Sequence, residues 1–133
     1  MKKMIYASSL VLLATFLLTS CKNKLAVIKD VPADKIETVF NVKDAETFTI
    51  EIPSNVTTGF KWVLANKIKP NIITKLSNEY VGDESAQNMV GVGGKEIWKF
   101  KAEKPGATFL YFVYQREDKK IEKELYYKVI VKE

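Results

Sequence analysis

The sequence predicts an all-β domain built as a sandwich of two packed sheets. Apolar residues recur at period two in most segments long enough to judge, and the runs are separated by clusters of Pro, Gly and Asn. After residue 40 no stretch carries a sustained helical stripe. Six or seven strand-like runs between turn signals are the pattern of a β-sandwich.

From the N-terminus, Lys2 and Lys3 precede an apolar run at 10–18, the layout of an export signal. That run falls short of the about 20 apolar residues a membrane-spanning helix needs. Leu18-Thr19-Ser20-Cys21 has the form of a lipobox, where a bacterial signal peptidase cuts before a cysteine that carries lipid. Cys21 is the only cysteine, so an intrachain disulfide is excluded and lipidation gives the thiol a role. The expected organisation is a lipoprotein signal peptide over 1–20, a lipidated cysteine and tether over 21–34, and the sandwich domain over 35–133. Each buried CH₂ of an acyl chain contributes about 0.8 kcal/mol, so a multiply acylated Cys21 holds the domain on a membrane. The expected location is the cell envelope, lipid-anchored, at the outer membrane and facing periplasm or cell surface. Lys22 stands where some bacteria place an aspartate for inner-membrane retention.

The tether includes a candidate edge strand at 25–28, and 31–40 has room for a helical turn. At 47–52, Phe48, Ile50 and Ile52 share one face and Thr47, Thr49 and Glu51 the other, so one face is core and the other wet. Pro53 to Gly59 is a turn region, and further turns are marked by Lys69-Pro70-Asn71, Gly91 to Gly94, and Lys104-Pro105-Gly106. Ile97, Trp98 and Phe100 form a second run. The segment 107–114 is apolar throughout, which predicts a central strand covered on both sides, with Leu110, Phe112 and Tyr114 facing inward. Leu125, Tyr127, Val129 and Val131 form the last inward face. Trp62 and Trp98 are expected in the core.

The inventory of reactive residues excludes most chemistry. The chain has no histidine, which removes serine-histidine-aspartate and cysteine-histidine catalysis and any histidine-based zinc site. No metal and no cofactor are expected, and the chain is not read as an enzyme. Of the net charge of +5, Lys2 and Lys3 carry two, which leaves +3 after the signal. The remaining lysines alternate with glutamates, as in Lys119-Lys120-Ile121-Glu122-Lys123-Glu124, a solvated face and not a nucleic-acid stripe. Gly91-Val92-Gly93-Gly94 lacks the spacing of a dinucleotide fingerprint and the Lys-Ser/Thr of a P-loop.

The loops are more specified than loop filler requires. Asn55-Val56-Thr57-Thr58-Gly59-Phe60 joins two apolar strands with small hydroxyl residues and one glycine. Gly59 opens a backbone conformation that β-branched neighbours resist, and Thr57 and Thr58 restrict their own torsions. Such a loop is stiff, and stiffness reduces the entropy lost on binding.

These residues, together with the glycine loop and Arg116 at the end of an apolar strand, resemble the chagasin-like inhibitors of papain-like cysteine proteases. The resemblance implies an immunoglobulin-like β-sandwich of about seven antiparallel strands, with three loops at one end that occlude the protease's active-site cleft. Asn55, Thr57, Thr58, Gly59 and Phe60 match the family's N-P-T-T-G-aromatic loop. Gly91, Gly93 and Gly94, with Val92 between, match its G-x-G-G loop. Arg116 matches the first residue of its R-P-W loop. Val56 replaces a proline, and Glu117 and Asp118 replace the proline and tryptophan. A pre-set proline is typically worth about 0.4–1 kcal/mol, and a buried interface tryptophan about 2 kcal/mol or more. The implied partner is a papain-like cysteine protease, streptopain-like enzymes included, bound reversibly and without covalent chemistry by a monomer. The alternative is a non-inhibitory envelope lipoprotein that binds another protein or a glycan through the same loops.

Overall fold

Alternation becomes strand wherever one face can be buried, and β2 (Thr47–Ser54) shows this residue by residue. Phe48, Ile50, Ile52 and Ser54 are buried and the residues between them are exposed. The computed structural model describes residues 30–84 and 91–133. The export signal, Cys21 and the edge strand expected at 25–28 lie outside the described residues.

Among the described residues seven strands form two sheets. Beside β2 they are β1 (Ile36–Lys43), β3 (Lys61–Leu64), β4 (Ile73–Gly82), β5 (Gly94–Ala102), β6 (Gly106–Gln115) and β7 (Ile121–Lys132). One sheet has the order β1-β7-β6-β3 and the other β2-β5-β4. Of the helical turn expected within 31–40, only a single 3₁₀ turn at Ala33–Lys35 forms. From Ile36 the β-branched residues and Phe40 favour the extended chain, and β1 begins there.

The strands are not all antiparallel. β1 runs parallel to β7, from Ile36 opposite Tyr126 to Lys43 opposite Lys132. The turn at 44–46 carries the chain directly into the other sheet, so β1 does not pair with β2 and covers the free edge of β7 instead. That turn is tied to both sheets: Asp44 N–H donates to Lys132 O at 2.8 Å, and Glu46 O accepts from Ala102 N–H at 2.8 Å.

Between the sheets, Phe100, Phe112, Ile52, Ile73, Leu110 and Val129 are fully buried. Trp62 and Trp98 join them as expected, and Trp62 Nε1 donates to Pro53 O at 2.9 Å. Leu110, Phe112 and Tyr114 point inward, and the expected cover on the outer face of β6 is complete only at Val113, which is 3% exposed. Phe109 and Tyr111 are half-buried there, because the neighbouring outward residues are Lys128 and Tyr126 and no further layer lies on them among the described residues. Tyr111 stacks on Tyr126 at 4.5 Å and its hydroxyl donates to Glu124. Partial burial, and then that hydrogen bond, hold the phenol well above its usual titration range.

Candidate functional site

Strand register decides which loops share a pole. Ser54 pairs with Gly94, Gly82 with Gly94, Lys61 with Gln115, and Gln115 with Ile121. The segments 55–60, 91–94 and 116–120 therefore emerge at one end of the sandwich, and every candidate protease-binding residue lies there.

Asn55 organises the first loop. As N-cap of the 3₁₀ turn Val56–Thr58, its Oδ1 accepts from Thr57 N–H at 3.2 Å and from Thr57 Oγ1 at 2.6 Å. Its carbonyl accepts from Thr58 Oγ1 at 2.6 Å, and its Nδ2 donates to Gly91 O at 3.2 Å, which ties the first loop to the second. Gly59 ends the turn at φ +78, a left-handed conformation that suits glycine, and its N–H returns to Val56 O at 3.1 Å. The expected stiffness thus has a visible cause: an Asx-type cap at one end and an αL residue at the other. Val56, Thr57, Thr58 and Gly59 are exposed at the tip.

Phe60 takes a different place from its loop neighbours. It is 8% exposed and stacks on Tyr114 at 5.3 Å, with Trp62 packed on Tyr114 at 4.9 Å and the Arg116 guanidinium lying 4.6 Å from the Phe60 ring centroid. This column supports the tip from beneath and joins the first loop to the third. The Tyr114 hydroxyl accepts from Asn55 N–H at 3.0 Å and donates to Asn55 O at 3.1 Å. Tyr114→Phe keeps the stacking and removes both bonds. Because Asn55 is half-buried and water reaches it, the expected loss is about 1 kcal/mol, read as a lower denaturant midpoint with an unchanged slope.

In the second loop, Gly91 adopts φ +89, and a Cβ on Gly93 would stand 3.1 Å from Ser54 O. Gly94 is already the first residue of β5, where a Cβ would lie 2.3 Å from Val81 O. Glycine at 93 and 94 therefore lets the second loop pack directly on β2 and β4.

The third loop is a closed hairpin. Lys119 N–H donates to Arg116 O at 3.0 Å, Lys119 adopts φ +63, and the Asp118 carboxylate accepts from Lys120 N–H at 3.0 Å. Asp118 is thus engaged within its own turn, and Glu117 is exposed at the tip.

One residue of this pole was not singled out in the sequence. Glu96, 6% exposed, points between the sheets, where its Oε1 accepts from Ser54 Oγ at 2.9 Å and from Trp62 N–H at 2.8 Å. The available signal is parity: Glu96 shares its face of β5 with Trp98, Phe100 and Ala102. Among the described residues no three acidic, cysteine or histidine side chains come together as a metal site.

A family model described as chagasin family peptidase inhibitor I42 matches residues 41–131. No curated protein sequence matches the chain. Among solved structures, EhICP2, a cysteine protease inhibitor from Entamoeba histolytica, is 17% identical with a TM-score of 0.61, covering 75% of this chain and 91% of that one. Amebosin is 26% identical with a TM-score of 0.57, covering 75% of this chain and 93% of the other. PbICP-C, seen in complex with falcipain-2, is 18% identical with a TM-score of 0.50, covering 82% of this chain and 99% of that one.

Proposed function

The chain belongs to the chagasin family of peptidase inhibitors, and from that premise we propose that it is a reversible, non-covalent inhibitor of papain-like cysteine proteases that occludes their active-site cleft with the three loops of one pole. The observation that carries this reading is the Asn55-braced tip, exposed from Val56 to Gly59, hydrogen-bonded to the second loop and touched by Arg116 of the third through the Phe60 ring. An inhibitor of this kind needs no reactive group. It needs a shape already ordered before contact, since ordering a loop on binding subtracts from affinity. The binding of falcipain-2 by PbICP-C supports a cysteine protease as the partner.

Within this reading Thr57 and Thr58 lie over the protease's catalytic centre, with Gly91, Val92 and Gly93 on one flank and Arg116 and Glu117 on the other. Phe60, Gly94 and Asp118 act from behind, as support. A standard interface buries about 800 Å² per partner, within reach of three adjacent loop tips. Glu117 at the position of the family's proline favours a protease with a basic rim, because complementary charge at a rim raises the association rate. The same proposal includes lipidation at Cys21 and display of a monomeric domain at the outer membrane.

The test is a titration of the full chain, kept in mild detergent, against papain and a panel of bacterial papain-like and streptopain-like proteases. The expected result is stoichiometric, saturable inhibition of at least one of them, with an association rate that falls as salt is raised. A folded chain that inhibits no member overturns the reading in favour of a binding module for another protein or a glycan.

A further inference from the structure

The first loop has its two feet in different sheets. Ser54 closes β2, at the edge of the three-stranded sheet, and Trp62 lies in β3, at the edge of the four-stranded one. No backbone ladder joins β2 to β3, so side chains set the spacing of the two feet: the Trp62 indole, whose Nε1 donates to Pro53 O at 2.9 Å on the rim, and Glu96 between the sheets. The Glu96 carboxylate, reaching from the central strand β5, holds both feet through one oxygen. Packing alone gives no reason for a carboxylate at this inward position, where an apolar side chain of similar volume fills a sandwich at least as well. A carboxylate oxygen with two donors does what an apolar residue does not, since it fixes the direction and distance of each donor.

We propose that Glu96 is a positioning residue of the inhibitory pole: together with the Trp62 indole bonded to Pro53 O, its buried carboxylate sets the separation of Ser54 and Trp62, and through them the height and tilt of the Thr57-Thr58 tip. The proposal rests on the inhibitor reading for its functional consequence, while its structural half stands on the loop alone. It also divides the labour at the pole. Tyr114 and Asn55 fix the shape of the loop, and Glu96 fixes where that shape stands on the sandwich.

Two variants of the full chain test it. Glu96→Leu removes the acceptor at similar volume, and Glu96→Gln keeps a carbonyl oxygen that accepts from the same donors. Glu96→Leu is expected to speed amide hydrogen exchange at Thr57, Thr58 and Gly59 by about tenfold or more, whereas amides elsewhere, such as Val129, rise together and only by the factor that the lost global stability gives. The two donors left without an acceptor lower the melting temperature, but the variant stays folded at the assay temperature; inhibition is expected to weaken by about tenfold or more, and Glu96→Gln to restore both readouts to within about threefold of the parent. Unchanged loop exchange in Glu96→Leu, or a uniform rise across the domain, overturns the positioning role. Faster loop exchange with undiminished inhibition overturns its functional half. If the parent chain inhibits no protease, the inhibitor reading fails and the exchange measurements still decide the structural half. Should Glu96→Leu not fold, Ser54→Ala removes one of the two donors and carries the same readouts.

Discussion

Replacing Thr58 with arginine is expected to weaken inhibition of a papain-like protease by about 100-fold or more while leaving the melting temperature within about 2 °C of the parent. Thr58 is exposed at the tip, and no core residue depends on its side chain. Two effects add. The hydroxyl that donates to Asn55 O is lost, which loosens the 3₁₀ turn, and a long charged side chain is placed on the tip that the proposed mechanism inserts into the protease cleft. Thr58→Ser separates them, because it keeps the donor and adds no bulk; its inhibition should stay within about tenfold of the parent. Inhibition constants for both variants, with circular dichroism as the check on folding, decide the matter. Full inhibition by folded Thr58→Arg would show that another surface blocks the protease.

The largest effect on stability is expected from Phe112→Ala, at about 3–5 kcal/mol. Phe112 is fully buried in the middle of β6, edge-on to Trp98 at 4.9 Å and to Tyr127 at 5.9 Å. Both of those neighbours are held by strands, so the space left by the ring cannot close by a simple side-chain shift. A domain of this size is stable by only about 5–15 kcal/mol, so the variant loses a large share of its margin. The readout is the urea midpoint at unchanged slope. A drop below about 1 kcal/mol would mean that the site relaxes around the deletion.

Much of this architecture is legible in the sequence because the inner faces are apolar and strictly periodic. Phe48, Ile50 and Ile52, then Leu110, Phe112 and Tyr114, then Tyr127, Val129 and Val131 all fall on the buried side, as their spacing predicts. β1 is harder to read because only Val42 is buried, Ile36 and Phe40 are half-buried, and Val39 on the other face is an exposed apolar residue. β4 is harder still: as an edge strand it buries Ile73 and exposes nearly everything after it, Leu76 and Tyr80 included, so no face stands out.

At the loop pole the sequence marks the segments but not the division of tasks inside them. That Phe60 turns inward onto Tyr114, that Asp118 closes its own hairpin, and that Asn55 spans two loops are outcomes of tertiary geometry. Glu96 is hidden for a related reason. Parity with Trp98 and Phe100 marks Glu96 as inward, but its residue type argues for solvent, and its task rests on donors 42 and 34 residues away.

The parallel pairing of β1 with β7 decides from which side the domain can be held. β1 enters opposite Tyr126, five residues beyond the start of β7 at Ile121, where the loop pole lies, and it runs away from that pole. The C-terminal strand ends at Lys132, beside Lys43, at the far pole. A strand advances about 3.3 Å per residue, so the entry stands roughly 17 Å from the loops and the exit roughly 35–40 Å. A surface, bead or fusion partner joined at the C-terminus leaves the wedge standing outward and clear. An attachment joined directly before β1 reaches the domain on its flank, so the wedge lies alongside its support there, and each linker residue added ahead of Ile36 frees it by up to about 3.5 Å.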